Sequence, residues 1–225
     1  MGTGAAIQAA TGNGFGLISA PFLVAAVGAT MGIPAALALS MVVNILVFVR
    51  DPSGVRWRTG ALLLVPALIV IPFTARLVRS TGPQLLAILA GGLTLAAVIA
   101  LASGRRSRRL GRPAAAVAAG MLSGAMNVIG GISGPPTVIY TINAGWPNRD
   151  IRSTLQIYFF ILNVAALVSL GVRPQIDWRW IVAGVAGWLI GVITLKKVAE
   201  ARLRILMLLV AAVGGSVALY HGLTG

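Results

Sequence analysis

Cysteine is absent from the 225 residues, which removes disulfides, Cys-based zinc sites and thiol nucleophiles and leaves the redox compartment open. Acid is nearly as scarce: four Asp+Glu stand against eighteen Lys+Arg, with a single histidine. Charged residues make up 10% of the chain, where a soluble domain carries about 25%. No HExxH, Walker sequence, GxSxG or paired carboxylates occur, so an enzyme is not expected and no cofactor is implied. The opening MGTGA has no basic side chain, and the apolar stretch after it runs to Ala29 without a cleavage context, so no targeting peptide is expected.

What fills the chain is apolar. AVILMFWYC reach 58% and mean hydropathy is +0.94, which excludes water as the only solvent of the surface. Eight apolar segments stand out, at about 5–28, 32–49, 59–78, 83–102, 113–141, 154–171, 180–195 and 204–221. At 1.5 Å per residue most of them cross much of a bilayer core of roughly 30 Å. They are too long and too evenly apolar for barrel strands, so they read as helices whose backbone groups are satisfied internally. The fold class expected is an all-α polytopic membrane protein of about eight transmembrane helices. The net charge of +14 lies in short breaks with no aromatic-interleaved groove, so anionic headgroups explain it and nucleic acid does not.

The breaks divide the chain. The run 103–112, SGRRSRRLGR, holds five arginines and separates a first four-helix half, 1–102, from a second, 113–225. If all eight segments cross, the two faces hold ten and eight Lys+Arg, a poor fit to the positive-inside rule. If segment five enters and leaves on one face as a broken hairpin, the split becomes fourteen to four. Eight crossings are preferred here, because short loops in small membrane proteins do not always follow the count. The run 196–204 fits a short interfacial helix or an extension of a neighbouring segment.

Function needs polar groups, and the apolar segments hold few. Asp51, Asp150, Asp177 and Glu200 all fall in breaks, where solvated loop charge is the ordinary reading, and His221 closes the last segment. No carboxylate remains at mid-membrane to bind sodium or carry a proton. Glycine, proline and small polar residues are instead concentrated twice, at Gly12-Asn13-Gly14-Phe15-Gly16 with Ser19 and Pro21, and at Asn127 with Gly130-Gly131-Ile132-Ser133-Gly134-Pro135-Pro136. Overlaying Gly16 on Gly130 brings Ser19 onto Ser133 and Pro21 onto Pro135, which suggests an internal duplication. Such stretches let the backbone leave helical geometry, so segments one and five are expected to be broken. A helix restarting after a break presents free N–H groups and the positive end of its dipole, a natural anion site. Asn13 and Asn127 add amides beside the breaks; Asn44, Gln156 and Asn163 fit either substrate contact or interhelical bonding.

The stretch from Gly120 to Tyr140, GMLSGAMNVIGGISGPPTVIY, with Ile7 to Pro21, IQAATGNGFGLISAP, resembles the sulfite exporter TauE/SafE family of small membrane transporters. The likeness covers nearly the whole chain. It implies two related halves, motif positions at Gly12, Gly16 and Pro21 and at Gly120, Gly124, Gly130, Gly131, Gly134, Pro135 and Pro136, and a basic position at Arg152. It also implies export of a small anion such as sulfite or an organosulfonate across the cell membrane, by alternating access, with membrane lipids as the other partner. Arg152 is expected at the gate or entrance, with headgroup anchoring as the alternative. The alternative is a nontransporting scaffold whose glycines serve close helix contacts.

Overall fold

The computed structural model describes residues 1–50, 52–104, 106–194, 198 and 200–224, with only the backbone at Glu200. Asp51, the Glu200 side chain and part of the 196–204 run therefore lie outside the described residues. Among the described residues ten α-helices follow in order: α1 Gly2–Thr11, α2 Phe15–Val27, α3 Ala29–Arg50, α4 Trp57–Arg79, α5 Pro83–Ala102, α6 Pro113–Gly130, α7 Gly134–Asn143, α8 Asn148–Leu170, α9 Trp178–Thr194 and α10 Glu200–Thr224. There is no strand among the described residues. Among the described residues six helices, α3, α4, α5, α6, α8 and α10, are long and apolar enough to cross a membrane; α2 and α9 are apolar but shorter. The outward faces carry Val168 at 75% exposure and Ile193 at 72%, surfaces that suit lipid and not water. The chain is a multi-pass membrane protein.

Segments one and five are both interrupted, the first between α1 and α2 at residues 12–14, the second between α6 and α7 at residues 131–133. Gly12 (φ 85°) ends α1 and Gly131 (φ 68°) ends α6, each in the left-handed region that a side chain resists. Neither segment continues straight on. The Ser123 hydroxyl of α6 donates to the Ser133 carbonyl at 2.7 Å, and the turn before α6 meets the end of α7: the Ser107 N–H donates to Asn143 Oδ1 at 2.7 Å, and Gly111 lies directly against the Asn143 carbonyl. Segment five doubles back to the end where it began. The preference for a straight passage of this segment is therefore corrected: its 18- and 10-residue helices are the two legs of a hairpin. Segment one does the same, with Gly4 of α1 against Phe15 and Ser19 of α2.

Small residues set the packing around these hairpins. Gly120 and Gly124 of α6 lie against Leu63 and Ala67 of α4, and Gly187 and Gly191 of α9 lie against Gly2 and Ala6 of α1, so both pairs run parallel. Four-residue spacing of glycine puts two such contacts on one helix face, where backbones can approach closely. α5 and α10 run antiparallel, with Gly91 against Gly215 and Leu219, and Gly222 against Ile88. α3 and α8 also run antiparallel: Arg149 and Ser153 at the start of α8 bond Ser53 just beyond α3. One end of the molecule thus gathers the breaks at 50–58, 103–112 and 143–152 and the start of α10. The opposite end brings Arg79 to the Ser169 carbonyl at 3.2 Å.

Candidate functional site at the two hairpin tips

The tips meet. A Cβ at Gly16 would stand 2.5 Å from the Gly131 carbonyl oxygen, and one at Gly131 would stand 3.1 Å from Ala20 Cβ. Between them is a cavity of about 20 Å³, lined by Asn13, Gly14, Gly16 and Leu17 of the first hairpin and Gly131, Ser133, Gly134 and Pro135 of the second. Gln8, Ser40, Leu101 and Phe159 complete the wall. The first turns of α2 and α7 both border this space, so two positive dipole ends converge on it. Their donors are unequal. In α2 the Phe15 N–H is taken by Gln8 Oε1 at 3.0 Å, leaving Gly16 and Leu17 as first-turn amides without intrahelical acceptors. In α7, Pro135 and Pro136 have no N–H, so Gly134 is the donor there and α2 supplies more of any hydrogen bonding.

A buried amide cluster holds the first tip. Gln8 Nε2 lies 2.7 Å from Asn44 Oδ1 and 2.9 Å from Gln156 Oε1, and Gln156 Nε2 donates to the Gly12 carbonyl at 2.5 Å. The second tip has a simpler pair, Asn127 Nδ2 to Asn163 Oδ1 at 3.1 Å. Both pairs join residues 36 apart in sequence. Asn44, Gln156, Asn163 and Asn127 thus act as interhelical ties. Gln8 was overlooked in the sequence, although an amide four residues before Gly12 in an apolar run was a usable signal. Leu17, Ser40, Leu101 and Phe159 had no such signal.

The remaining candidates lie off the cavity. Gly12 packs against the stem of Arg152, and Gly130 against Ala90. Ser19 is buried facing Gly4, Pro21 meets Gly214, and Pro136 is buried within α7 without reaching the cavity wall. Arg152 donates from Nη2 to the Ala10 carbonyl at 2.7 Å, at the negative end of α1, while Arg50 reaches the neighbouring Ala9 carbonyl at 3.5 Å.

A larger vestibule of about 590 Å³ adjoins the small cavity and shares Asn13 and Leu101 with it. Arg106 and Arg204 line this vestibule, at the end of the molecule that gathers the basic breaks. Of the described carboxylates, Asp150 pairs with Arg56 at 2.6 Å and Asp177 caps the Arg179 N–H at 2.9 Å, both away from the cavity. Among the described residues, the lining offers hydrogen-bond donors and positive potential with no carboxylate, which suits an anion.

The pattern of one family, sulfite exporter TauE/SafE, matches residues 1–218. The chain belongs to this family. No curated protein and no solved structure matches it. Family membership and the apolar helices together make it a membrane transport protein of a family named for sulfite export.

Proposed function

We propose that this TauE/SafE protein exports a small anion, sulfite or an organosulfonate, across the cytoplasmic membrane by alternating access around the two hairpin tips. The observation that carries the reading is the convergence of the α2 and α7 N-termini on one cavity with no carboxylate among its described lining residues. The binding groups are the Gly16, Leu17 and Gly134 amides and the side chains of Asn13 and Ser133.

The two halves, 1–102 and 113–225, are related and inverted. A shift of 119 residues carries Gly12 to Gly131, Gln8 to Asn127 and Asn44 to Asn163, and it carries α3 onto α8. It also matches the parallel pair α1 and α9 to α6 and α4. This differs by five residues from the overlay of Gly16 on Gly130. Matching serine and proline identities governed that overlay, whereas the shift of 119 follows the left-handed caps at Gly12 and Gly131.

With both hairpins re-entrant, α3, α4, α5, α8, α9 and α10 are the crossings. The breaks at 50–58, 103–112, 143–152 and 196–204 then share one face and hold three, five, two and four Lys+Arg, fourteen of the eighteen. The positive-inside rule makes that face cytoplasmic, so the vestibule opens toward the cytoplasm. Outward movement of one negative charge from a negative interior gains about 2.3 kcal/mol per 100 mV. Flux of labelled sulfite, sulfate and small sulfonates into vesicles carrying the purified protein tests the reading. Saturable flux of at least one of them is expected, and none above empty vesicles would overturn it.

A further inference from the structure

The small cavity and the vestibule are separate spaces with very different sizes, about 20 Å³ and 590 Å³. The first holds about one water molecule and no oxyanion. Something must therefore move before an anion arriving in the vestibule reaches the hairpin tips. Two residues line both spaces, Asn13 and Leu101. Asn13 belongs to the tip itself. Leu101 comes from elsewhere, the last turn of α5, and it also lines a third space, the groove between α5, α7 and the 103–110 stretch. The residue is apolar and 7% exposed, and it lines all three spaces. Its main chain is anchored: Arg204 of α10 donates through Nη2 to the Leu101 carbonyl, a cation at the negative end of α5.

We propose that Leu101 is the barrier between vestibule and inner cavity, and the residue that sets the size of anion admitted to the hairpin tips. An apolar side chain at this point opposes a hydrated anion twice, by filling the path and by offering nothing in exchange for lost water. The proposal rests on the transport reading for its consequence alone, because access to the cavity is measurable without transport.

The absence of cysteine makes the test direct. Ser133→Cys puts one thiol on the inner cavity, and Ser103→Cys puts one on the neighbouring groove outside the barrier. The purified protein is exposed to an anionic methanethiosulfonate, and the modification rate is read for each thiol. Leu101→Ala is expected to raise the Ser133→Cys rate about tenfold, since the rate follows the accessible fraction, and Leu101→Trp to lower it. Leu101→Val gives a smaller rise and serves if the alanine variant does not fold. Ser103→Cys is expected to react equally in every background. Equal Ser133→Cys rates across Leu101 variants would overturn the proposal, as would parallel changes at Ser103→Cys. A changed Ser133→Cys rate, together with no flux of any anion through the wild-type protein, supports the barrier while rejecting the transport reading.

Discussion

Gly131 and Gly134 sit three residues apart and answer to different constraints. Gly131 has φ 68° and Ala20 Cβ 3.1 Å from where its own Cβ would be, so Gly131→Ala costs about 1–2 kcal/mol in backbone strain before any crowding. Gly134 has no positive φ, and its nearest neighbour would be Phe159 Cζ at 4.0 Å. Gly134→Ala is therefore expected to keep wild-type thermal stability while its methyl group narrows the cavity and lowers flux. Comparing melting temperature with initial flux for both variants checks this, and full flux in Gly134→Ala would remove the α7 terminus from the site. Gln8 is a different kind of residue. Gln8→Leu would strand the Phe15 N–H together with its Asn44 and Gln156 partners, at about 1–3 kcal/mol for each buried group left unpaired, so a clear loss of thermal stability is expected. Arg152 was expected at an entrance, and its contact with the Ala10 carbonyl leads elsewhere. Arg152→Lys and Arg152→Ala are expected to lower the melting temperature and leave half-saturation unchanged at matched protein level. Altered half-saturation with unchanged stability would return Arg152 to the anion path.

At the scale of elements, the breaks were legible in the sequence and the fold-back only in its charge balance. Gly12, Gly14 and Gly131 announce backbone that cannot stay helical, and all three have positive φ. Hydropathy, however, reports only that 113–141 is apolar, and a kinked crossing and a hairpin have the same composition. The discriminating signal was charge. A hairpin gives the fourteen-to-four split where a straight passage gives ten to eight, and the contacts of Ser107 and Gly111 with Asn143 agree with the hairpin. Membrane-impermeant labelling gives the direct check. Ser107→Cys and Ala144→Cys are expected to react from the same face of a sealed vesicle, and Thr81→Cys from the other. Reaction of positions 107 and 144 from opposite faces would contradict the hairpin.

For the whole molecule, composition alone indicated a helical membrane protein with an uncharged interior, because 58% apolar residues and four carboxylates leave few other options. The meeting of the tips was not legible, since it depends on Gly16 lying against Gly131, 115 positions away, a contact that no local pattern encodes. Leu101 was equally hidden: one leucine in an apolar helix resembles every other until the cavities beside it are known. The central claim is that two helix N-termini, brought together by hairpins from opposite faces, carry an anion down the membrane potential. The measurement that tests it most directly is labelled sulfite flux in vesicles reconstituted with the protein, under an imposed potential of either sign, for the wild type and Gly134→Ala. The expected result is saturable flux that reverses with the sign of the potential and falls in Gly134→Ala at equal protein. Flux that equals empty vesicles, or that is the same in both proteins at either potential, would contradict it.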